Sequence, residues 1–240
     1  MIIEICANSY ESALYAQKAG ADRIELCVEL AVGGITPSYG LLKKVRQDIS
    51  IPVNVLIRPR SGNFTYSTEE LEIMKQDILL CKELGFHGIV SGFLKEDHTV
   101  DPDKTRALIE LARPLSFTFH RAFDWVPKPL EAVDILRNLG VDRILSSGQE
   151  RTAIEGIGLL KVLKEKADDK LVIMPGGGIN EENIIHFKND GFKELHFSAI
   201  SLTKRGIKVK VGMNSPALLG DDLLAVSDFQ RIKEMIRLVK

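Results

Sequence analysis

The amino-acid sequence predicts a single α/β domain over residues 1–240, a TIM-type (βα)8 barrel with an irregular C-terminal segment and a final helix. Strand-like apolar runs alternate with amphipathic helical segments along the chain, which favours parallel strands joined by crossover helices. A helix-end, glycine, strand pattern recurs in AGADRIEL, LGFHGIVSG, LGVDRILSSG and DGFKELHFS. The length of 240 residues also suits one barrel of about 250 residues.

Eight strands are predicted at residues 2–7, 23–28, 52–58, 88–93, 115–122, 142–147, 170–175 and 194–199. The recurring glycines are Gly20, Gly85, Gly140 and Gly191, and they mark the second, fourth, sixth and eighth strands. Because glycine readily adopts the left-handed conformation that ends a helix, each one separates a helix from the next strand. The repeat therefore supports closure by eight strands.

Predicted helix starts carry capping signals. Asn8 with Glu11 and Ser67 with Glu70 have the spacing of capping boxes, and Thr36–Pro37 and Asp101–Pro102 place a cap before proline. Residues 200–227 contain three glycines and a proline and interrupt the alternation of strand-like and helical segments. We therefore expect an irregular segment there. A final helix is expected from Ser227 to Val239.

Composition excludes several classes of protein. The net charge of -1, with acids and bases interspersed, gives no support for binding to nucleic acid or to a membrane surface. No apolar run is long enough for a transmembrane helix. The N-terminal segment MIIEICANSYESA lacks the basic region of a signal peptide, so we expect a cytoplasmic protein whose three cysteines are reduced.

Polar residues fall on one parity of the predicted strands. Side chains alternate between the two faces of a strand, so this parity should face the barrel interior. The inward set is Glu4, Cys6, Glu25, Cys27, Asn54, Leu56, Arg58, Thr118, His120, His196 and Ser198. The fifth strand ends in LSFTFHRAFD, which adds Arg121 and Asp124 close to His120. In such barrels the C-terminal ends of the strands carry the chemistry.

We expect Glu4, Glu25, Arg58, His120 and Asp124 to be the catalytic candidates if the protein is an enzyme. Carboxylate and imidazole groups in one site suit general acid–base catalysis. The structural alternative is a buried network in which Arg58 pairs with the two glutamates. Arg121 could face either the barrel interior or the helix layer.

Cys6 and Cys27 occupy matching places near the ends of neighbouring strands. Adjacent strands are about 4.8 Å apart, so two inward thiols could share a soft metal such as Cu(I). The alternative is that both are buried thiols acting as small apolar side chains. Cys81 shares helical spacing with Met74 and Ile78, which indicates a core position.

Two loops are candidates for binding an anion. The seventh strand ends in MPGGGIN, where Gly176, Gly177 and Gly178 could let backbone N–H groups approach a bound group. The third loop carries Arg58 and Arg60, and paired arginines can hold a carboxylate or phosphate. The remaining anion candidates are Ser147, at the end of the sixth strand, and His196.

Five segments together closely resemble the CutC family: EICANSYESALYAQKAGADRIELC, GGITPSYGLL, IPVNVLIRPRSGNF, LSFTFHRAFD and RILSSGQ. The resemblance extends from about Ile3 to Ala199 and implies a TIM barrel. It also implies a cytoplasmic copper-homeostasis role and a homodimer or higher homo-oligomer. The family's copper-linked cysteines match Cys6 and Cys27, and its polar mouth matches Glu4, Glu25, Arg58, His120, Arg121, Asp124 and His196.

Two functions remain open from the sequence, and a third, a non-catalytic binding barrel, would differ from the second only in showing affinity without turnover. In the first, the chain binds copper as Cu(I) through Cys6 and Cys27 at the C-terminal mouth of the barrel. In the second, the chain is an isomerase- or lyase-type enzyme that uses general acid–base catalysis on a small phosphorylated or carboxylated metabolite. No lysine falls at an inward strand end, which disfavours Schiff-base chemistry.

Overall fold

The computed structural model describes residues 1–204, 206, 210–214 and 220–240, and it contains the predicted parallel barrel. The barrel strands are β1 (Ile2–Ala7), β2 (Arg23–Leu26), β3 (Val53–Leu56), β4 (Gly88–Ser91), β5 (Ser116–Phe119), β6 (Arg143–Ser146), β7 (Val172–Pro175) and β8 (Glu194–Phe197). Their order around the sheet is β7-β6-β5-β4-β3-β2-β1-β8. A parallel bridge between Gly176 and His196 joins β7 to β8 and completes the ring.

Helices follow the strands and pack on the outside of the ring. They are α1 (Tyr10–Ala19), α2 (Tyr39–Asp48), α3 (Thr68–Glu83), α4 (Pro102–Ala112), α5 (Pro129–Asn138), α6 (Ile157–Ala167), α7 (Ile184–Asn189) and α8 (Phe229–Val239). Two short 3-10 helices, η1 (Leu30–Val32) and η2 (Arg121–Trp125), follow β2 and β5. None of the described helices is long and apolar enough to cross a membrane.

The parity of the strands separates two apolar clusters. Ile3, Ile5, Ile24 and Leu26 belong to the large core between the strands and the helices. A smaller cluster of Cys6, Cys27, Leu56 and Val90 packs separately, with Leu30 against it. The apolar residues predicted to point inward, which are Cys6, Cys27 and Leu56, therefore pack apart from the main core.

Local capping explains where several helices begin. Ser67 and Glu70 form a reciprocal capping box at α3, and Asp101 caps α4 with Pro102 as its first residue, as predicted. Two predicted caps are wrong by one or two residues. Ser9 caps α1 through the N–H of Ser12, and Ser38 caps α2, because in both cases the serine is the extended residue directly before the helix.

The segment from residue 200 to 227 is more regular at its ends than the sequence predicts. β9 (Ile200–Lys204) and β10 (Leu223–Ser227) form an antiparallel pair outside the barrel. Their pairing joins residues that are distant in sequence, and short alternating runs alone do not reveal it. Residues 205, 207–209 and 215–219 of the predicted irregular segment lie outside the described residues. The final helix starts at Phe229 and is capped by Asp228.

Candidate functional site

A cavity of about 300 Å³ opens at the C-terminal ends of the barrel strands, and we call it the mouth cavity. It is lined by Cys6, Glu25, Leu30, Gly33, Leu56, Arg58, Phe64, His120, Arg121, Leu145, Gly177, Gly178, Ile179, His196, Phe197 and Ser198. These residues come from successive strand ends around the ring. The position is the one at which barrel proteins assemble their functional groups.

Cys6 and Cys27 lie together beside this cavity. Their Sγ atoms are 3.6 Å apart, and both side chains are buried. The Cys6 thiol also makes a 3.9 Å contact with Oε1 of Glu25. The hydrogen bond to Cys27, together with burial, raises the pKa of the Cys6 thiol well above its usual value. The Cys6 thiol is therefore protonated at neutral pH, so metal binding would have to release its proton.

Cys6, Glu25 and His196 form a compact group of possible metal ligands. One donor atom from each of the three buried side chains lies within 4.8 Å of the others. Cys27 adds a second sulfur beside Cys6. Thiolate and imidazole ligands suit Cu(I) or Zn²⁺ better than they suit Mg²⁺ or Ca²⁺.

Glu4 orients His196 from beneath the cavity. Oε1 of Glu4 lies 2.8 Å from Nδ1 of His196, and Oε2 accepts hydrogen bonds from Arg23 and from Asn54. Burial opposes ionisation of Glu4, but the charge of Arg23 and the contact with His196 outweigh it and lower its pKa to about 2. Burial also opposes protonation of His196, but Glu25 and the other acidic neighbours raise its pKa well above the usual value.

The ionic partner of Glu4 is Arg23, which corrects the sequence-based alternative that Arg58 pairs with the glutamates. Arg23 bridges Glu4 and Glu194 inside the barrel, and Arg143 donates to Glu194 at 2.9 Å. We call these four side chains the floor network. Arg23 and Glu194 have the same strand parity as Glu25 and His196, so the alternation that identified the cavity residues could also have identified them.

Glu25 combines burial with an incomplete set of contacts. Its Oε2 atom has no hydrogen-bond partner among the described residues and lies 3.9 Å from Nδ1 of His196. Burial, opposed by the charge of His196, raises the pKa of Glu25 to about 7. A carboxyl group with this pKa can accept or donate a proton at neutral pH.

Arg58 is held by backbone carbonyls. Its Nη1 donates to Val32 and Gly34, and its Nη2 donates to Gly62. The guanidinium lies over the ring of Phe64, 5.1 Å from its centroid. Arg58 therefore ties η1 to the loop after β3 and forms one wall of the mouth cavity.

His120 is a neutral ring in this wall. Its Nδ1 accepts the backbone N–H of Ala122 at 3.2 Å, so the ring proton is on Nε2, which has no partner in the described part of the chain. Burial, followed by the positive charge of Arg58, lowers the pKa of His120 to about 3. The ring is also 4.9 Å from that of Phe64.

Arg121 faces the cavity rather than the helix layer. Its Nε donates to Asp124 at 2.8 Å, and its Nη2 donates to Ser147 Oγ at 2.6 Å. Asp124 also accepts from Ser146 and from the backbone of Ser147, and it does not line the cavity. Asp124 thus acts on the site through the position of Arg121.

The other predicted anion-binding residues separate in space. Arg60 binds Glu70 at the start of α3 and lies outside the cavity lining, whereas Gly177 and Gly178 line it. A Cβ atom on Gly176 would meet Leu145 at 2.5 Å, which indicates that Gly176 is needed for close packing. Ser147 contacts Arg121 and donates to the carbonyl of Glu150.

A larger groove of about 680 Å³ lies on the outside of the barrel, between α1, α8 and the β9–β10 pair. It is open to solvent, and the cysteine pair and the inward histidines do not line it. The buried reactive groups converge in the mouth cavity instead.

The fold and the site together define a (βα)8-barrel protein with a buried thiol, carboxylate and imidazole cluster at the C-terminal end of its strands. The chain belongs to the CutC family, which it matches over residues 1–201.

Known proteins support this membership. The human copper homeostasis protein cutC homolog is 43% identical over 243 residues, which cover 100% of this chain and 89% of the human protein. A CutC family protein from Parabacteroides distasonis is 44% identical, over 98% of this chain and 99% of that protein. The crystal structure of a CutC protein from Streptococcus agalactiae has a TM-score of 0.78 and 38% identity, and the match covers 82% of this chain and 98% of that chain.

Proposed function

We propose that this chain acts in copper homeostasis by binding Cu(I) through Cys6 and Cys27 at the mouth of the barrel. The supporting observation is the 3.6 Å separation of the two sulfurs. It is less than twice the ~2.3 Å length of a metal–sulfur bond, as measured for zinc, so both sulfurs can reach one ion. Soft thiolate ligands select Cu(I) over harder cations.

His196 is the proposed third ligand. Its Nδ1 is engaged by Glu4, which leaves Nε2 as the nitrogen that can coordinate a metal. A carboxylate that orients a metal-binding histidine in this way is a common arrangement around metal sites. Glu25 is a less suitable ligand because Cu(I) prefers sulfur and nitrogen to carboxylate oxygen.

An anaerobic Cu(I) titration against a competing chelator tests this function. We expect the wild-type protein to bind Cu(I) and a Cys6→Ser, Cys27→Ser double variant to lose the site. Cys81→Ser is the matched control, since Cys81 is also buried but lies on α3 within the main core. Equal stoichiometry and affinity in the wild type and the double variant would exclude the proposed site.

The cytoplasmic location and the homo-oligomeric state implied by the family resemblance belong to the same proposal. A cytoplasm keeps thiols reduced, which the proposed Cu(I) ligands require. Cell fractionation tests the location, and light scattering coupled to size-exclusion chromatography tests the assembly. Recovery in a secreted fraction, or the mass of a monomer at working concentrations, would contradict the respective statement.

A second candidate function is an isomerase- or lyase-type enzyme acting on a small carboxylated or phosphorylated metabolite. The observation that favours it is the unpartnered Glu25 Oε2 in a residue that lines the mouth cavity, because a copper carrier has no need of such a group. Glu25 would be the general acid or base.

Proton abstraction can be followed without knowing the complete reaction. Pyruvate, lactate and dihydroxyacetone phosphate would be incubated with the protein in D2O, and carbon-bound hydrogen would be followed by proton NMR. We expect exchange into at least one of these compounds with the wild type and its loss in Glu25→Gln. If the wild type catalyses no exchange in any of them, this candidate function fails.

A further inference from the structure

Arg58 is a buried cation without an acidic partner in the described part of the chain. The residue is 5% exposed, and the acceptors of its N–H groups are three backbone carbonyls. The positive charge of Arg58 lowers the pKa of the Tyr66 hydroxyl, but burial outweighs this effect and raises the pKa to about 12. The Tyr66 hydroxyl is therefore neutral and supplies no counter-charge. A buried charge without a counter-charge is unfavourable, so this arrangement suits an anion supplied from outside.

The other cations of the mouth cavity already have acidic partners. Arg121 pairs with Asp124, and His196 pairs with Glu4. Among the described residues that line the cavity, Arg58 is therefore the cation that forms no ion pair with an acidic side chain, and an anionic ligand would supply its counter-charge.

Arg121 provides an accessible contact for such a ligand. Its side chain is 42% exposed, and Asp124 and Ser147 hold its Nε and Nη2. A Cβ atom placed on Gly177 would lie 3.2 Å from Nη1 of Arg121, so the absence of a side chain at residue 177 leaves space beside this nitrogen. Arg121 is thus a guanidinium fixed in position at the edge of the cavity.

Two N–H groups of cavity-lining residues lack hydrogen-bond partners among the described residues. They are Nε of Arg58 and Nε2 of His120. Phe64 contacts both side chains, which places them in the same wall. Both atoms are covered in the present conformation, so a change of side-chain rotamer, which is common on binding, would bring them to a ligand.

The remaining lining is largely apolar and includes Leu30, Leu56, Leu145, Ile179 and Phe197. The cavity volume of about 300 Å³ is close to that of ten waters at about 30 Å³ each. This volume and lining suit a small organic acid better than a bare inorganic anion.

We propose that the mouth cavity binds a small monocarboxylate, with Arg121 contacting the carboxylate, Arg58 supplying the compensating charge and the apolar wall covering the carbon chain. This assignment names a ligand class for the cavity of the second candidate function, and it rests on that proposed site. It requires only that the cavity binds the ligand and does not require turnover.

The test uses copper-free full-length protein and propionate as the probe. Chemical-shift changes at the backbone amides of Gly33, Gly177 and Gly178 would be followed by NMR. Propionamide has a similar shape without the charge, and inorganic phosphate has charge without a carbon chain. We expect millimolar propionate to shift these amides. Propionamide should shift them at least ~10-fold less strongly because it supplies no charge for the buried cation. Phosphate should also shift them at least ~10-fold less strongly because it has no carbon chain for the apolar wall to cover.

Variants identify the cations. Arg58→Gln and Arg121→Gln should each weaken propionate binding at least ~10-fold. Arg60→Gln is the matched control, because Arg60 also stacks on an aromatic ring but pairs with Glu70 outside the cavity. If Arg58→Gln fails to fold, Arg121→Gln and the comparison of propionate with propionamide still decide the question.

The proposal is overturned if propionate leaves the three amides unshifted, if phosphate or propionamide binds as well, or if Arg60→Gln weakens binding as much as Arg121→Gln does. Arg121→Gln should still bind Cu(I) with the stoichiometry of the wild type, which separates this result from the copper titration. Propionate binding without deuterium exchange in the earlier experiment would reject the enzyme while leaving the ligand site intact.

Discussion

Oε1 of Glu4 lies 2.8 Å from Nδ1 of His196, and the two residues are register partners on β1 and β8. The contact joins the first and the last strand of the barrel. It also links the floor network to the mouth cavity, since Glu4 binds Arg23 below and His196 above. The position of a cavity-lining imidazole is therefore set by charges deeper in the barrel.

Glu4→Gln should affect both stability and the proposed copper site. The variant removes a buried negative charge from between Arg23 and His196, so we expect the free energy of unfolding to fall by about 3–5 kcal/mol. Because the carboxylate orients His196, Cu(I) affinity should fall about 10- to 100-fold. Chemical denaturation and chelator competition measure the two effects. Glu131→Gln, in an exposed pair with Lys128, is the control and should change stability by less than about 1 kcal/mol.

The floor network predicts a large difference between two arginines. Arg23 is buried against two carboxylates, whereas Arg113 forms an exposed pair with Asp142. Arg23→Gln leaves Glu4 and Glu194 without this cation, and we expect a loss of about 3–5 kcal/mol in the free energy of unfolding. Arg113→Gln should cost at most about 1 kcal/mol. Similar urea midpoints for the two variants would show that the floor network is not required for stability.

The barrel itself follows from local patterns in the sequence. Glycine-terminated helices, capping residues and the alternation of side chains act over a few residues, and they are sufficient to predict eight strands and their inward faces. The inward direction of Glu25 and Cys6 depends on the same alternation. The β9–β10 pair was not predicted because its two strands are not adjacent in the sequence, and local patterns do not show that they pair.

The partners of the site residues were harder to predict than their direction. Parity places Glu4 inside the barrel, but it does not distinguish Arg23 from Arg58 as the partner. That choice depends on the level of each side chain along the barrel axis. Arg58 lies past the end of β3 and bends to the carbonyls of η1, whereas Arg23 lies at the start of β2, beside Glu4. Arg60 shows the same limit, since its neighbour in space is Glu70 on α3.

Gly92 should be sensitive to the smallest substitution. A Cβ atom at this position would lie 2.7 Å from Nδ1 and 2.8 Å from Cε1 of His120. Gly92→Ala should therefore displace the ring and lower the free energy of unfolding by about 1–3 kcal/mol. Gly40 is the matched control, because it lies in α2 and a Cβ atom added there would meet no neighbouring group within 4 Å. Gly40→Ala should be neutral or stabilising by up to about 1 kcal/mol. Equal stability of Gly92→Ala and the wild type would contradict the tight contact.

His120 should make stability depend on pH in a defined direction. Burial and the neighbouring charge of Arg58 lower its pKa to about 3 in the folded protein, against about 6.5 in the unfolded chain. The unfolded chain therefore takes up this proton first as the pH falls. The contribution of the neutral ring is fully present above about pH 6.5 and is lost progressively as the pH falls towards 3.

The groups around the ring support this assignment. Arg58 is its charged neighbour from the loop after β3, and Phe64, Phe119, Gly92 and the N–H of Ala122 provide its other described contacts. No carboxylate among the described contacts faces His120 to favour its protonated form. Protonation of the folded state would place an unpaired imidazolium next to a guanidinium, so acidification favours the unfolded chain, in which the imidazole binds a proton more readily.

His120→Gln removes the titrating group while keeping a side chain that can donate and accept hydrogen bonds. We expect its free energy of unfolding to fall less steeply than that of the wild type between about pH 6.5 and pH 4.5, a window above the ordinary titration of Asp and Glu. Urea denaturation across this range measures the difference. His98→Gln replaces an exposed histidine and should follow the wild-type curve. Glu25, whose pKa is raised to about 7, opposes the trend in both proteins because its folded form binds a proton first as the pH falls. The difference between the two curves therefore isolates His120, and parallel curves would show that its ring does not titrate as burial requires.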